Sequence, residues 1–251
     1  MSDHKTTALV TGASAGLGVE FCRQLAERSE VIIAVARRAD RLDELAGELA
    51  DLAEVHRIEA DLLTVEGVTA TMEALRQKGP VDYLVNNAGF ATMGDFADLP
   101  VDGQRDMVSL HIDATVTLCR AAVPFMRELG GGYIVNVSSL GAFMPAKGIA
   151  VYGATKAFLN YFSEALQREL EGTGVRVQAL CPGYIRTEFH DAMVDRGFDR
   201  ERIPAEFWSE PPEVVACSLA ALDSGEVIVI PGEGNRALGR AAVEARLAGF
   251  D

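Results

Sequence analysis

The 251-residue chain is short of cysteine, of positive charge, of aromatic residues and of long apolar runs. Its four cysteines, Cys22, Cys119, Cys181 and Cys217, stand far apart with no C-x-x-C pair. That excludes a disulfide framework or a zinc knuckle, and each reads as a small buried apolar residue in a reducing compartment. Against 37 acidic residues there are 23 lysines and arginines, a formal net charge of −14. A general nucleic-acid footprint needs a basic surface, and so does docking on anionic membrane; neither is expected. A local basic pocket stays compatible with this balance. No apolar run approaches the length of a bilayer span. Met1 to Thr7 is polar and lacks the basic and apolar regions of a signal peptide, so a cytoplasmic protein is expected. The four histidines are scattered, without an H-E-x-x-H pattern, and no metal is implied.

What is present is globular: 49% hydrophobic and 24% charged residues. Short β-branched runs recur, at Ala8–Val10, Val31–Val35, Val55–Ile58, Tyr83–Val85, Tyr133–Val137, Val175–Leu180 and Val227–Ile230. Several are apolar on both faces, as buried parallel strands are. Between them lie stretches with apolar residues three and four apart, such as Val19-Cys22-Leu25-Ala26 and Leu42-Leu45-Leu49-Leu52. This alternation predicts a doubly wound α/β fold: one domain over residues 1–251, a seven-stranded, mostly parallel sheet and helices on both faces. One segment breaks the rhythm. Glu188 to Pro212 mixes aromatics, charges and prolines without a period, and reads as a substrate lid or pocket wall.

Thr11-Gly12-Ala13-Ser14-Ala15-Gly16-Leu17-Gly18 follows the first strand and opens the first helix. Glycines there allow a tight turn and close backbone approach, and the helix N-terminus offers free N–H groups to a pyrophosphate. The same residues match the G-x-S-x-G nucleophile elbow of hydrolases. That motif needs upstream strands for its oxyanion hole, and one short run precedes Gly12. After the second strand an acidic residue would bind ribose hydroxyls and favour NAD. Ala36 stands there instead, followed by Arg37 and Arg38, whose guanidinium groups suit a 2′-phosphate. NADP(H) is therefore favoured over NAD(H); the alternative is two solvated arginines, with Asp40 left to serve a ribose.

Tyr152-Gly153-Ala154-Thr155-Lys156 opens a helical stretch and puts tyrosine and lysine on one face, one turn apart. A neighbouring ammonium favours the phenolate, so the tyrosine is expected to titrate below its usual range and suit acid–base work. Ser138 and Ser139 end the strand Tyr133–Val137. Asn86-Asn87-Ala88-Gly89 ends another, and Pro182-Gly183 a third. In an open parallel sheet all of these meet at the carboxyl edge.

Taken together and in this order, the motifs resemble the short-chain dehydrogenase/reductase family, a Rossmann-fold group of NAD(P)-dependent oxidoreductases, from about Thr7 to Ile230. The resemblance implies that Gly12, Ser14, Ala15, Gly16, Leu17 and Gly18 hold the adenosine and pyrophosphate end of the cofactor. Arg37 and Arg38 would meet the 2′-phosphate, Asp61 and Leu62 the adenine, and Asn87, Ala88 and Gly89 would line the cleft. Tyr152 becomes the general acid or base, and Ser139 (chosen over Ser138 by its spacing from Tyr152) binds the substrate oxygen. Lys156 binds the nicotinamide ribose, and Pro182, Gly183, Ile185 and Thr187 receive the nicotinamide end.

One departure falls at His111, on a helix expected over Asp102–Leu129, where the family carries an asparagine that completes its catalytic tetrad and proton relay. Imidazole can hold the relay water or pass protons itself; the alternative is a buried, hydrogen-bonded histidine. A working site with an altered relay is expected, while a catalytically impaired NADP-binding regulator on the same fold is the rival reading. The C-terminus departs too: Val229 to Arg236 leads into a short helix, Ala237–Leu247, so a homodimer is expected before the tetramer common in the family. Phe90, Met93, Phe143, Met144, Tyr184, Met193, Phe207 and Trp208 are expected to face the nicotinamide, which favours an apolar ketone or alcohol. His190 reads as a surface histidine.

Overall fold

The computed structural model describes residues 4–191 and 198–250. Seven strands form one sheet: β1 (Thr7–Thr11), β2 (Val31–Ala36), β3 (Glu54–Glu59), β4 (Tyr83–Asn86), β5 (Gly132–Val137), β6 (Val175–Leu180) and β9 (Ile228–Val229). They lie in the order β3-β2-β1-β4-β5-β6-β9, and every neighbouring pair is parallel. The sheet is flanked by α1 (Gly16–Ala26), α2 (Ala39–Leu49), α3 (Val65–Lys78), α4 (Val101–Val108), α5 (Ala114–Leu129), α6 (Ala150–Glu169), α7 (Pro211–Ala221) and α8 (Glu233–Leu247).

All residues of β1 and β2 are buried. Alternation along these strands feeds two apolar layers. Ala8, Val10, Ile32 and Ala34 pack with Phe21, Leu25, Leu42 and Val214 of α1, α2 and α7. Leu9, Ile33 and Val35 pack with Leu75, Leu118 and Met126 of α3 and α5. A strand covered on both faces must be apolar on both, which is why its sequence shows no polar alternation. β3 is an edge strand, and its side chains reach water at Glu54 and Glu59.

The chain winds outward from β1 through β2 to β3, then returns to β4 on the other side. Such a reversal leaves a crevice at the carboxyl ends of β1 and β4. The glycine loop follows β1 and Asn87-Ala88-Gly89 follows β4, so both line it.

Three expectations need correction. The described residues of the stretch 188–212 hold order that the sequence did not show: single helical turns at Glu188–His190, Arg200–Arg202 and Ala205–Phe207, and a strand β8 (Trp208–Ser209) pairing in parallel with β7 (Tyr184–Ile185). α8 starts at Glu233, four residues before the expected Ala237, because Asn235 is buried in its first turn and donates to the Pro231 carbonyl. The helix expected over Asp102–Leu129 contains a single π turn at Ser109–Asp113, between α4 and α5.

Candidate active site

Between β1 and α1 the backbone itself forms a cradle. Gly12 and Gly16 have φ of 68° and 52°, a region that side chains disfavour. A Cβ on Gly12 would stand 2.7 Å from Asn87 Nδ2, and one on Gly18 would stand 2.1 Å from the Gly12 carbonyl oxygen. Asn87 fixes the loop by donating from Nδ2 to the Thr11 carbonyl at 2.9 Å, while Thr11 Oγ1 accepts from the Asn87 and Ala88 N–H groups at 2.9 and 3.0 Å. No side chain caps α1, and its first turn holds no acidic residue. In a chain so rich in carboxylates, that leaves the positive helix end open to an anion. These features fit a dinucleotide. Thr187 closes the cradle: its Cγ2 would lie 3.0 Å from a Cβ on Gly16.

The two arginines behave differently. Arg38 Nη2 donates to the Ser14 carbonyl at 3.1 Å and its Nε to Ser14 Oγ at 3.2 Å. The same Nη2 reaches Glu188 Oε1 at 2.7 Å, an ion pair across the mouth of the groove. Arg37 points toward Asp61, 3.8 Å from its Oδ2. Asp61 Oδ1 accepts from the Leu63 N–H at 3.0 Å, which turns the chain after β3, and Leu62 is buried.

At the other end of the crevice the structure separates the two serines. Ser138 Oγ donates to the Lys156 carbonyl at 2.9 Å and is buried. Ser139 Oγ accepts from the Gly141 N–H at 3.0 Å and stays partly exposed. Gly141 brings Ser139 and Tyr152 to one place: a Cβ there would sit 3.4 Å from Ser139 Oγ and 3.7 Å from Tyr152 Cε1. Lys156, only 5% exposed, donates from Nζ to the Val137 carbonyl at 2.8 Å, and its Nζ lies 5.7 Å from the centre of the Tyr152 ring. Burial pushes Lys156 down to about 8. Burial also raises Tyr152 above its usual value, with the Ser139 hydroxyl acting the other way. The expected lowering of Tyr152 by Lys156 is therefore corrected: desolvation of the phenolate sets the direction, and the Ser139 hydroxyl, not the Lys156 ammonium, is what opposes it. Cys181, beside them, is pushed up to about 12 by burial and stays a thiol.

His111 is buried, at 1% exposure, on the π turn. Its Nε2 accepts from the Phe90 N–H at 3.3 Å, which places the ring proton on Nδ1. Nδ1 lies 2.8 Å from Thr155 Oγ1, and Thr155 Oγ1 donates to the Tyr152 carbonyl at 2.8 Å. Burial and the nearby Lys156 hold the imidazole well below its ordinary titration range, so it is neutral.

The chain matches the short chain dehydrogenase family model over residues 6–196. It belongs to the short-chain dehydrogenase family. It is 35% identical to sulfoacetaldehyde reductase 2 of Chromohalobacter salexigens over 88% of this chain and 85% of the relative. Among solved structures, a short-chain dehydrogenase from Sphingobium yanoikuyae in complex with NADPH superposes with a TM-score of 0.85 at 34% identity, covering 98% of this chain and 94% of that one. A bulky-bulky ketone specific alcohol dehydrogenase from Comamonas testosteroni follows with a TM-score of 0.82 at 30% identity, covering 98% and 93%. This short-chain dehydrogenase/reductase is accordingly an oxidoreductase of CH–OH and C=O groups.

The aromatic residues expected to face the nicotinamide, and those around them, differ from the sequence expectation. Phe189, overlooked in the sequence, packs on Tyr152 with ring centres 6.3 Å apart. His190 is buried rather than on the surface, at 7% exposure. It stacks on Phe198 at 4.9 Å and meets Tyr184 and Trp208 at 5.8 and 5.4 Å. Burial, chiefly, pushes it down to about 4. Phe207 packs against Gly234 of α8, Phe90 lies 6.2 Å from the His111 ring, and Met193 falls outside the described residues. Gly183 is held tight by a residue the sequence did not flag: a Cβ there would sit 2.5 Å from Asn235 Oδ1. Thr155 and Glu188 were passed over as well. Thr155 stands in the Tyr152–Lys156 motif, three residues on from the tyrosine, and that spacing was the available signal.

Proposed function

We propose that this dehydrogenase is NADP(H)-dependent and interconverts a largely apolar ketone and its alcohol, with Tyr152 as general acid in reduction and general base in oxidation. The observation that carries the reading is the convergence of Ser139, Tyr152 and the buried Lys156 at the end of a groove whose other end offers a bare backbone cradle with Arg38 beside it. When bound, the nicotinamide supplies or accepts the hydride. The residues of the chain do the rest. Gly12, Ser14, Ala15, Gly16, Leu17 and Gly18 bind the pyrophosphate end, Arg38 and Arg37 the 2′-phosphate, and Asp61 and Leu62 the adenine. Asn87, Ala88 and Gly89 line the cleft. Pro182, Gly183, Ile185 and Thr187 orient the nicotinamide end, and Lys156 binds its ribose.

Ser139 orients the substrate oxygen, and Tyr152 moves the proton to or from it. Its raised titration point keeps Tyr152 a phenol at neutral pH, the form that donates to a carbonyl. The aromatic residues Phe189, Tyr184 and Trp208 form the apolar wall, with Phe198 and the buried His190 packed behind them. We read the molecule as a cytoplasmic homodimer. Its thiols are free, and Phe158 and Tyr161 on α6 are exposed as a dimer face would require.

The test is NADPH oxidation, followed by absorbance, over a panel of apolar and charged ketones and aldehydes, together with separate binding titrations of NADPH and NADH. Turnover of apolar ketones and tighter binding of NADPH are expected. Binding without turnover across the panel would make the protein a cofactor-binding regulator instead. Preference for small anionic aldehydes would overturn the apolar reading, and tighter NADH binding would overturn the role of Arg38.

A further inference from the structure

His111 occupies a position where three elements meet. Its π turn carries it between the loop after β4 and the second turn of α6. π turns inside helices recur at functional sites because they re-aim a side chain that a regular helix would direct elsewhere. The fit is close: a Cβ on Gly89 would stand 2.8 Å from His111 Nε2, so a glycine at 89 is what lets the ring enter. The ring also meets Tyr152 edge-on, with centres 6.0 Å apart.

We infer that His111 is a positioning residue, which holds the Tyr152 turn in place through Thr155 and carries no proton in the reaction. This rests on the reading of Tyr152 as the acid–base group. The hydrogen bonds run in one direction: Phe90 N–H to Nε2, Nδ1–H to Thr155 Oγ1, Thr155 O–H to the Tyr152 carbonyl. Both ring nitrogens are engaged. The chain ends on a carbonyl oxygen, which has no proton to hand on, so it leads to the tyrosine backbone and not to its hydroxyl. The charged and titratable groups that bear on the ring are Lys156 and Tyr152, both from α6. What the chain does supply is a cross-link. It ties the cleft-lining loop at Gly89-Phe90 to the backbone that presents the phenol, and small misplacements of a reacting group cost large factors in rate.

The experiment compares His111→Ala, His111→Asn, Thr155→Val and Thr155→Ser by kcat, KM for a ketone, Kd for NADPH, melting temperature and the pH profile of kcat. His111→Ala and Thr155→Val should each lower kcat by about tenfold to a hundredfold. Kd for NADPH should stay within about threefold of the parent. Their double variant should be little worse than either single one, as expected for two members of one link. His111→Asn, an amide with a donor and an acceptor but no titration, and Thr155→Ser, which keeps the hydroxyl, should recover most of the loss with the pH profile unmoved.

An acidic limb in the kcat profile that disappears in His111→Asn together with most of the turnover would make His111 a proton carrier and overturn the inference. Parent-like kcat in Thr155→Val would overturn it too, and that variant keeps the test intact if His111→Ala fails to fold. Failure of the underlying reading looks different, because Tyr152→Phe would then keep its turnover.

Discussion

At the proposed reaction end of the groove Lys156 is 5% exposed and its ammonium is tied to a carbonyl, while at the proposed phosphate end Arg37 is 70% exposed with its nearest carboxylate 3.8 Å away. Tyr152, Thr155, His111 and Phe90 form an unbroken chain of hydrogen bonds. Arg38, by contrast, shares its guanidinium between Ser14 and Glu188, with both charged side chains well exposed. The two ends do different work. Proton transfer depends on sub-ångström placement and on desolvation that shifts titration points, and both require burial. Recognition of a phosphate needs donors of the right sign, and these stay solvated until a ligand displaces the water.

This contrast is broken most forcefully by Tyr152→Phe. It should lower kcat by about a hundredfold or more, while the melting temperature and NADPH affinity stay near the parent's. A comparable loss of NADPH binding would show that the two ends are not separable. The next effect is on affinity. Arg38→Ala should weaken NADPH binding about tenfold, as loss of a charge-assisted hydrogen bond does, and leave NADH binding nearly unchanged. Calorimetric titration of both cofactors checks this, and an equal loss for NADH would assign Arg38 to the pyrophosphate instead.

The pH dependence sharpens the comparison further. Lys156 titrates near 8 and Tyr152 above its ordinary value. Ketone reduction should hold steady through neutral pH and fall above about pH 8, as the Lys156 ammonium loses its proton while the phenol still keeps its own. Alcohol oxidation, which needs the phenolate, should rise with pH. A reduction rate flat to pH 10 would remove the charge on Lys156 from the mechanism. The smallest effect is at the exposed end: Glu188→Gln should tighten NADPH binding about twofold to threefold. It removes a carboxylate that competes with the 2′-phosphate for Arg38, and exposed ion pairs are weak. Unchanged affinity, measured at low salt, would mean that Arg38 holds both anions without competition.

Much of this was legible in the sequence, and the reasons are local. β-branched runs marked all seven strands of the main sheet, most plainly β1 and β2, because strands buried on both faces leave no room for polar alternation. Gly12 and Gly16 stood out because positive φ leaves a compositional mark. The tyrosine–lysine pair was found because residues four apart share a helix face. The misses were tertiary. Nothing local in Glu188-Phe189-His190 tells that Phe189 packs on Tyr152, or that the stretch folds back on itself so that His190 sits among Tyr184, Phe198 and Trp208. Asn235 belongs to the same class: a polar residue in a polar stretch, buried because Gly183 leaves it space.

By itself, then, the sequence determined the family, the winding of the sheet and which residue types gather at its carboxyl edge. The winding and the edge follow from short-range periodicity and glycine chemistry, and the family from the resemblance carried by the ordered motifs. Only the tertiary structure decided the protonation states and the partners. Whether Tyr152 is drawn down by Lys156 or pushed up by burial depends on how much water reaches the phenol, and spacing along a helix does not encode that. Whether His111 is free or bound depends on Phe90 and Thr155, which approach it only after β4, the π turn and α6 have packed.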